Sequence, residues 1–149
     1  MITHGHHPCP QALRRAASAV ADESFTRSYP FTLADLPAAP EGWIYQLSTA
    51  TMVKLKGFCE PHTDPYVGPE IGICAPGEVE PDHRSLFWLL KDTSKRSSHL
   101  MAENRSLAMA VDDWAFFDSR ELHAFLADGT WVGMTIQLTR QPPETGAEV

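Results

Sequence analysis

The sequence contains no long uninterrupted stretch of apolar residues. A membrane-spanning helix needs roughly 18 or more such residues in a row, and no segment of this 149-residue chain approaches that length. The first residues, MITHGHHPCPQALRR, also lack the apolar stretch of a signal peptide. We therefore expect a soluble, cytoplasmic protein with no membrane partner.

Cysteine is scarce. The three cysteines, Cys9, Cys59 and Cys74, are an odd number, and no two of them have CxxC spacing. This pattern is typical of reduced thiols and speaks against a disulfide framework. For the same reason it disfavours a zinc site built from thiolates.

Positive charge is also in short supply. Lys and Arg number 12 against 19 Asp and Glu, so the net charge is -7 with histidine neutral. Such a surface repels phosphate backbones at long range, which makes sequence-independent nucleic-acid binding unlikely. A base or nucleotide held in a local pocket stays compatible with this charge.

The sequence does have the composition of a globular domain, with 43% hydrophobic and 21% charged residues. We predict one domain over residues 1–149. The predicted barrel occupies about residues 44–139, and flexible tails are expected at residues 1–9 and 141–149.

Most of the chain after residue 42 has the features of short β-strands. Runs rich in β-branched and aromatic residues are separated by Gly, Pro and Asp-containing turns. This pattern predicts a mainly β fold, an all-β barrel or jelly roll, covered by one helix at about residues 10–23. The predicted strands lie in WIYQLSTATMVKLKGF, RSLFWLLK, HLMAENRSLAMAV, WAFFDS, ELHAFL and GTWVGMTIQLTR.

Two short motifs hold candidate metal ligands. In the first, PHTDPY, an extended backbone places His62 and Asp64 on the same face, because side chains alternate along a strand. The second, FDSRELHAF, contains His123. If the strand of His123 crosses the same end of the barrel, two imidazoles and one carboxylate share an ion. Such a set leaves three octahedral positions open, as in non-haem Fe(II) oxygenases.

With their surroundings, these motifs resemble the HxD...H signature of Fe(II)/2-oxoglutarate-dependent dioxygenases, in the prolyl-hydroxylase-like branch. The sequence KGFCEPHTDPY is followed, 61 residues after its histidine, by WAFFDSRELHAF. The likeness covers about residues 44–139 and includes an apolar strand after HxD and a last strand after Asp-Gly.

The resemblance implies a double-stranded β-helix in which His62, Asp64 and His123 are the catalytic metal ligands. It implies Fe(II) as the metal and 2-oxoglutarate as a co-substrate that chelates it. With O2, such an oxidoreductase converts 2-oxoglutarate to succinate and CO2 while it hydroxylates or demethylates a substrate, which the sequence does not identify.

One feature of the family is missing. Its members usually carry Arg or Lys on the strand after the second histidine, where it pairs with the far carboxylate of 2-oxoglutarate. Here that position is near Gly133, and no cation follows before Arg140. We expect Arg84 to bind the co-substrate instead, and Tyr66 to stand at the mouth of the site. The alternative cations are Lys54, Lys56 and Lys91.

Structural interpretations of the same residues stay open. His62 and Asp64 also suit an exposed pair in a Pro-rich turn, and His123 suits a core histidine bonded to the backbone. His83 has no partner pattern and is expected to be solvated. Residues 67–83, rich in Gly and Pro, are the expected lid or specificity loop.

Other functions stay open as well. A catalytically silent barrel that binds or inhibits a protein partner fits the small size, the missing cation and the acidic surface. A cupin-type barrel has a similar shape, but its motif is HxH followed by a glutamate. A zinc hydrolase is also compatible, because two histidines and an aspartate suit zinc with one open position.

Overall fold

A computed structural model of the chain describes residues 2–27, 29–68 and 81–141. This part is mainly β, with one α-helix, α1 (Gln11–Ala19), and two antiparallel sheets. No helix within these ranges is long and apolar enough to cross a membrane. The strands are β1 (Thr3–His6), β2 (Ser24–Thr26), β3 (Trp43–Tyr45), β4 (Thr51–Lys56), β5 (Cys59–His62), β6 (His83–Asp92), β7 (Ser98–Ala102), β8 (Arg105–Met109), β9 (Asp113–Phe117), β10 (His123–Leu126) and β11 (Thr130–Arg140). Two 3-10 turns lie at Leu33–Asp35 and Leu47–Thr49.

The strands form a larger and a smaller sheet. The larger sheet has the order β1-β9-β6-β11-β4-β2, and β3 pairs with the last residues of β11. The smaller sheet has the order β5-β10-β7-β8. From β4 onward, the chain changes sheet at each connection except the one between β7 and β8. This alternation brings strands that are distant in sequence next to each other.

Strand β6 lies between two apolar cores. Its even-numbered residues, such as Trp88, pack with Leu13 of helix α1 on one side of the larger sheet. Phe87 and Leu89 face the other way, into the core between the two sheets. A strand that is buried on both faces has a continuous apolar sequence, as RSLFWLLK does. Because side chains alternate along a strand, the residues of β6 that face helix α1 are different from those that face the smaller sheet.

The first residues form a strand, which corrects the prediction of a flexible tail for residues 3–6. Strand β1 pairs with β9, and the Nδ1 atom of His6 lies 2.9 Å from the carboxylate of Asp113. Gly5 passes so close to Trp114 that a Cβ atom there would lie 2.7 Å from the indole ring. The partner strand is more than 100 residues away in sequence, so the local composition THGH gives no sign of the pairing.

Helix α1 is shorter than predicted. It ends at Ala19, and the backbone of Val20 is already extended. Glu23, which has a φ angle of 50°, then turns the chain into β2, which pairs with β4. The segment before residue 44 therefore adds two strands to the edges of the larger sheet, where only a helix was expected.

Candidate metal centre

The candidate ligands lie on two neighbouring strands of the smaller sheet. His62 is the last residue of β5, and His123 is the first residue of β10. The two strands are antiparallel, with these histidines directly opposite each other. Asp64 follows β5 by two residues. As the two motifs predicted, strand pairing brings all three side chains to one place.

The three side chains are close enough to share one ion. Their ligand atoms all lie within 4.8 Å of one another, and within the described ranges they are the one such group of His, Cys, Asp and Glu. Asp64 Oδ1 is 3.4 Å from His62 Nε2, and Asp64 Oδ2 is 3.3 Å from His123 Nε2. Each carboxylate oxygen therefore faces a different imidazole.

Backbone carbonyl groups set the orientation of both imidazoles. His62 Nδ1 donates to the carbonyl of Glu60 at 2.7 Å, and His123 Nδ1 donates to the carbonyl of Glu121 at 2.9 Å. Because a carbonyl oxygen only accepts, Nδ1 carries a hydrogen in both rings. Nε2 is then the atom that binds either a metal or a second proton, which is the arrangement found for metal-binding histidines.

Asp64 is held by three further contacts. Its N–H donates to the carbonyl of Ser119 at 2.8 Å, and its own carbonyl accepts from His83 Nε2 at 3.2 Å. Ser85 Oγ donates to Asp64 Oδ2 at 3.3 Å. His83 is buried, which corrects the expectation that it is solvated. Its ring contacts the backbone of Asp64 and not the carboxylate.

The charged groups of the site are an ionised carboxylate and a protonated imidazole. Burial alone would raise the pKa of Asp64, but the hydrogen bonds from His123 and His62 outweigh burial and hold that pKa well below its usual range. The hydrogen bond with Asp64, and after it the contact with Cys59, raises the pKa of His62 to about 10. The site therefore keeps a proton next to an ionised carboxylate, and a metal ion bound here would take the place of that proton.

A cavity of about 630 Å³ lies beside the three candidate ligands, a size suited to a small molecule. Part of its wall is apolar, formed chiefly by Val53, Phe87, Leu100, Phe125 and Trp131. The polar residues of the wall, besides the candidate ligands, are Arg27, Thr49, Thr51, Ser85, Thr135 and Gln137. The cavity wall thus combines an apolar part with a polar part.

Arg84, the expected partner of a co-substrate carboxylate, lies on the other side of β6. Its guanidinium stacks over the Trp43 ring at 5.0 Å and pairs with Asp82. Successive residues of a strand face opposite ways, so Ser85 lines the cavity whereas Arg84 does not. The structure therefore does not support contact between Arg84 and a ligand in the cavity.

The lysines and Tyr66 also lie away from the described cavity wall. Lys54 Nζ is 2.9 Å from Asp22, and Lys91 Nζ donates to Ser18 at 3.3 Å, so both reach toward the N-terminal segment. Tyr66 packs on His83 with 5.7 Å between the ring centroids. Its neighbour Val67 lines the cavity instead. Lys56, the third lysine named as an alternative cation, is also absent from the described cavity wall.

Gly133, the position near which the resemblance led us to expect a cation, leaves no room for a side chain. A Cβ atom at Gly133 would lie 2.3 Å from the ring of Phe87. Among the described residues, the one Arg or Lys that lines the cavity is Arg27, whose Nε donates to Thr51 Oγ1 at 3.1 Å. Sequence reasoning missed Arg27, because the short strand before it becomes visible only through its pairing with β4.

Most of the predicted lid segment, at residues 69–80, lies outside the described residues, and so does Cys74. Cys59 does line the cavity, and its Sγ atom is 3.9 Å from His62 Nδ1.

No protein-family model and no curated protein matches this sequence. The case for a function therefore rests on the side chains around the cavity and on the chemistry that they support.

Proposed function

We propose that this chain is a non-haem oxygenase that uses Fe(II), 2-oxoglutarate and O2 to hydroxylate or demethylate a substrate. The observation that carries the proposal is the group of His62, Asp64 and His123, with ligand atoms within 4.8 Å of one another beside a cavity. Two imidazoles and one carboxylate on one side of an ion leave positions open for a chelating co-substrate and O2.

We further propose that the fold is a double-stranded β-helix. In support, the chain from β4 to β11 alternates between sheets, so that β4-β11-β6-β9 in one sheet accompany β5-β10-β7-β8 in the other. Eight strands divided between two sheets in this way are typical of a jelly roll. The candidate ligands then lie where β5 and β10 end and begin, at one mouth of the barrel.

The donor set fits a first-row transition metal. Two bonds of about 2.1 Å at a right angle place the ligand atoms about 3 Å apart, and the Asp64 oxygens are 3.3 and 3.4 Å from the imidazole nitrogens. Imidazole and carboxylate are ligands that suit iron. When bound, Fe(II) would supply the activation of O2, while the three side chains hold it and their backbone partners keep them in place.

The polar part of the cavity wall fits a ligand that carries a second carboxylate. Arg27 donates to Thr51, and Thr51 is the cross-strand partner of Thr135 on β11. The hydroxyl of Thr51 already donates to the carbonyl of Thr49 at 2.9 Å, so the guanidinium of Arg27 and the hydroxyl of Thr135 are the donors for a carboxylate here. We therefore assign the far carboxylate of 2-oxoglutarate to Arg27, with Thr135 as an additional donor.

The apolar part of the wall serves a different purpose. The rings of Phe87 and Phe125 lie 5.0 Å apart, and those of Phe125 and Trp131 lie 4.6 Å apart. Such packing keeps water out of the interior of the cavity, which strengthens electrostatic contacts there and limits side reactions.

The test is an anaerobic titration of the protein with Fe(II) and then 2-oxoglutarate, monitored by the visible charge-transfer band of the chelate. We expect the band in the wild type and its loss in His62→Ala. Arg27→Ala should still bind Fe(II) but bind 2-oxoglutarate about 10- to 100-fold more weakly, as expected for loss of a charged hydrogen-bond partner. 2-Oxobutyrate, which lacks the second carboxylate, should bind both proteins equally.

Arg15→Ala is the matched control, because Arg15 is an exposed arginine of helix α1. Fe(II) binding without a band in the wild type would contradict the assignment of 2-oxoglutarate. Absence of metal binding would contradict the oxygenase and would leave the protein-binding barrel as the better account.

A further inference from the structure

The loop between β9 and β10, at residues 118–122, contacts two of the three candidate ligands through its backbone. The carbonyl of Ser119 accepts the N–H of Asp64 at 2.8 Å. The carbonyl of Glu121 accepts Nδ1 of His123 at 2.9 Å. The position of this loop therefore determines how both side chains are presented to a metal.

Ion pairs outside the cavity hold the loop in turn. The carboxylate of Asp118 accepts Nε and Nη2 of Arg120, both at 2.9 Å, and also the backbone N–H of Arg120 at 3.1 Å. Arg120 Nη1 lies 3.1 Å from Asp82, which precedes β6 by one residue. The two ends of this chain of contacts are thus the loop and the start of β6.

Arg84 joins these groups. It pairs with Asp82, and its Nη1 atom is 3.9 Å from Asp118, while Trp43 covers its guanidinium. Only 18% of the Arg84 side chain and 15% of the Asp118 side chain are exposed, so solvent screens this contact less than it would a surface pair.

Residues at the start of β6 therefore make contacts on both faces of the sheet. On one face, His83 and Ser85 hold Asp64 through its carbonyl and its Oδ2 atom. On the other face, Arg84 contacts the carboxylate that anchors the loop. Successive side chains of one strand face opposite ways, so the start of β6 connects the ion pairs on one face to the candidate ligands on the other. The ion pairs themselves contact neither the cavity nor the ligand atoms.

We propose that Arg84 and Asp118 are positioning residues of the metal centre. They hold the loop at residues 118–122 so that its carbonyls fix Asp64 and His123, and the affinity for metal depends on them. This inference rests on the metal site of the proposed function, but it does not depend on 2-oxoglutarate or on the reaction.

The first readout is metal affinity, with Co(II) as the probe. Arg84→Met keeps an apolar side chain over Trp43 and removes the charge. We expect it to weaken Co(II) binding about 10-fold or more, the effect typical of groups that orient metal ligands. Arg84→Lys, which restores the charge, should recover most of the affinity. The ratio of 2-oxoglutarate to 2-oxobutyrate affinity should stay unchanged in both variants, in contrast to Arg27→Ala.

Arg140→Met is the matched control. Arg140 also stacks on Trp43, at 4.5 Å, and its Nε lies 3.3 Å from Asp82, yet within the described residues it has no contact with Asp118. Its loss should leave Co(II) affinity as it is in the wild type. An equal loss of affinity in Arg140→Met and Arg84→Met would overturn the proposal, because it would indicate a general effect of charge.

The second readout needs no metal. In the metal-free protein, Arg84→Met should speed hydrogen exchange of the Asp64 amide about 10-fold, while exchange of the Met134 amide in β11 stays the same. Equal acceleration at both amides, or none at Asp64, would overturn the positioning role. A wild type that binds no Co(II) would instead contradict the metal site itself, so the two failures are distinguishable.

Discussion

Asp64 is the residue that organises the candidate site. Its two oxygens face different imidazoles, and its backbone is bonded on both sides, to Ser119 and to His83. The rings of His62 and His123 are tilted by 59° to each other with their centroids 4.3 Å apart, and the carboxylate of Asp64 is the negatively charged group among the three. A carboxylate held in this way would need little rearrangement to bind a metal.

We predict that Asp64→Ala weakens Fe(II) or Co(II) binding more than about 100-fold, because it removes a ligand rather than a neighbour of a ligand. Asp22→Ala is the control, since the side chain of Asp22 is 84% exposed and pairs with Lys54 at the surface. Calorimetric titration measures both affinities. Equal losses in the two variants would indicate non-specific attraction to an acidic surface.

At this scale, the sequence predicted which candidate ligands lie together better than it predicted their neighbours. The i, i+2 spacing of His62 and Asp64 follows from strand geometry, so it is visible locally. The positions of Arg27 and His83 near the site depend on strands that lie far apart in sequence. Arg84 was assigned to the cavity from its residue type, but its position on β6 decides its direction. It lies on the face of the strand opposite to Ser85, which lines the cavity.

Strands β11 and β6 are neighbours at the centre of the larger sheet, and their residues pack closely around position 133. The ring of Phe87 occupies the place where a side chain at position 133 would stand. A longer side chain at position 133, the place where the resemblance led us to expect a cation, would therefore meet this ring. Among the described residues, the Arg or Lys that lines the cavity is instead Arg27, directly after the edge strand β2.

We predict that Gly133→Ala lowers the free energy of unfolding by about 1–3 kcal/mol, the usual cost of overpacking a core. Urea unfolding of the two proteins measures the difference. Phe87→Leu in the Gly133→Ala background should recover part of the loss, because a smaller side chain leaves room for the added methyl group. A Gly133→Ala variant as stable as the wild type would show that the two strands can separate freely.

Elements with continuous apolar sequences were predictable, and short edge elements were not. RSLFWLLK and GTWVGMTIQLTR correspond to β6 and β11, which are buried on both faces. The sequences THGH and SFT form β1 and β2, although neither has a strand pattern of its own. Their partners β9 and β4 supply the hydrogen bonds and the packing, so tertiary contacts decide their structure.

Over the whole molecule, negative charge exceeds positive charge by seven, and this favours cations near the surface. At the candidate metal centre, a bound metal would also exchange with a proton. The pKa of His62 is raised to about 10, first of all by its hydrogen bond with Asp64. At neutral pH the metal-free protein therefore carries a proton on His62 that a metal must displace.

We predict that metal affinity rises with pH, by about tenfold or more for each unit between about pH 6 and 8, because at least one proton, that of His62, is released per ion bound. The sign follows from competition, since acid restores the proton that occupies His62 and so lowers affinity. Calorimetry in two buffers of different ionisation enthalpy, at a single pH near neutrality, should show at least one proton released. Affinity that does not change with pH would contradict this account of the site.

The most direct test of the metal centre is anomalous scattering from crystals grown with Mn(II) as a stand-in for Fe(II). The account predicts one peak about 2.0–2.3 Å from Nε2 of His62, Nε2 of His123 and the carboxylate of Asp64. A peak elsewhere with none at these three residues, or no peak anywhere, would contradict it.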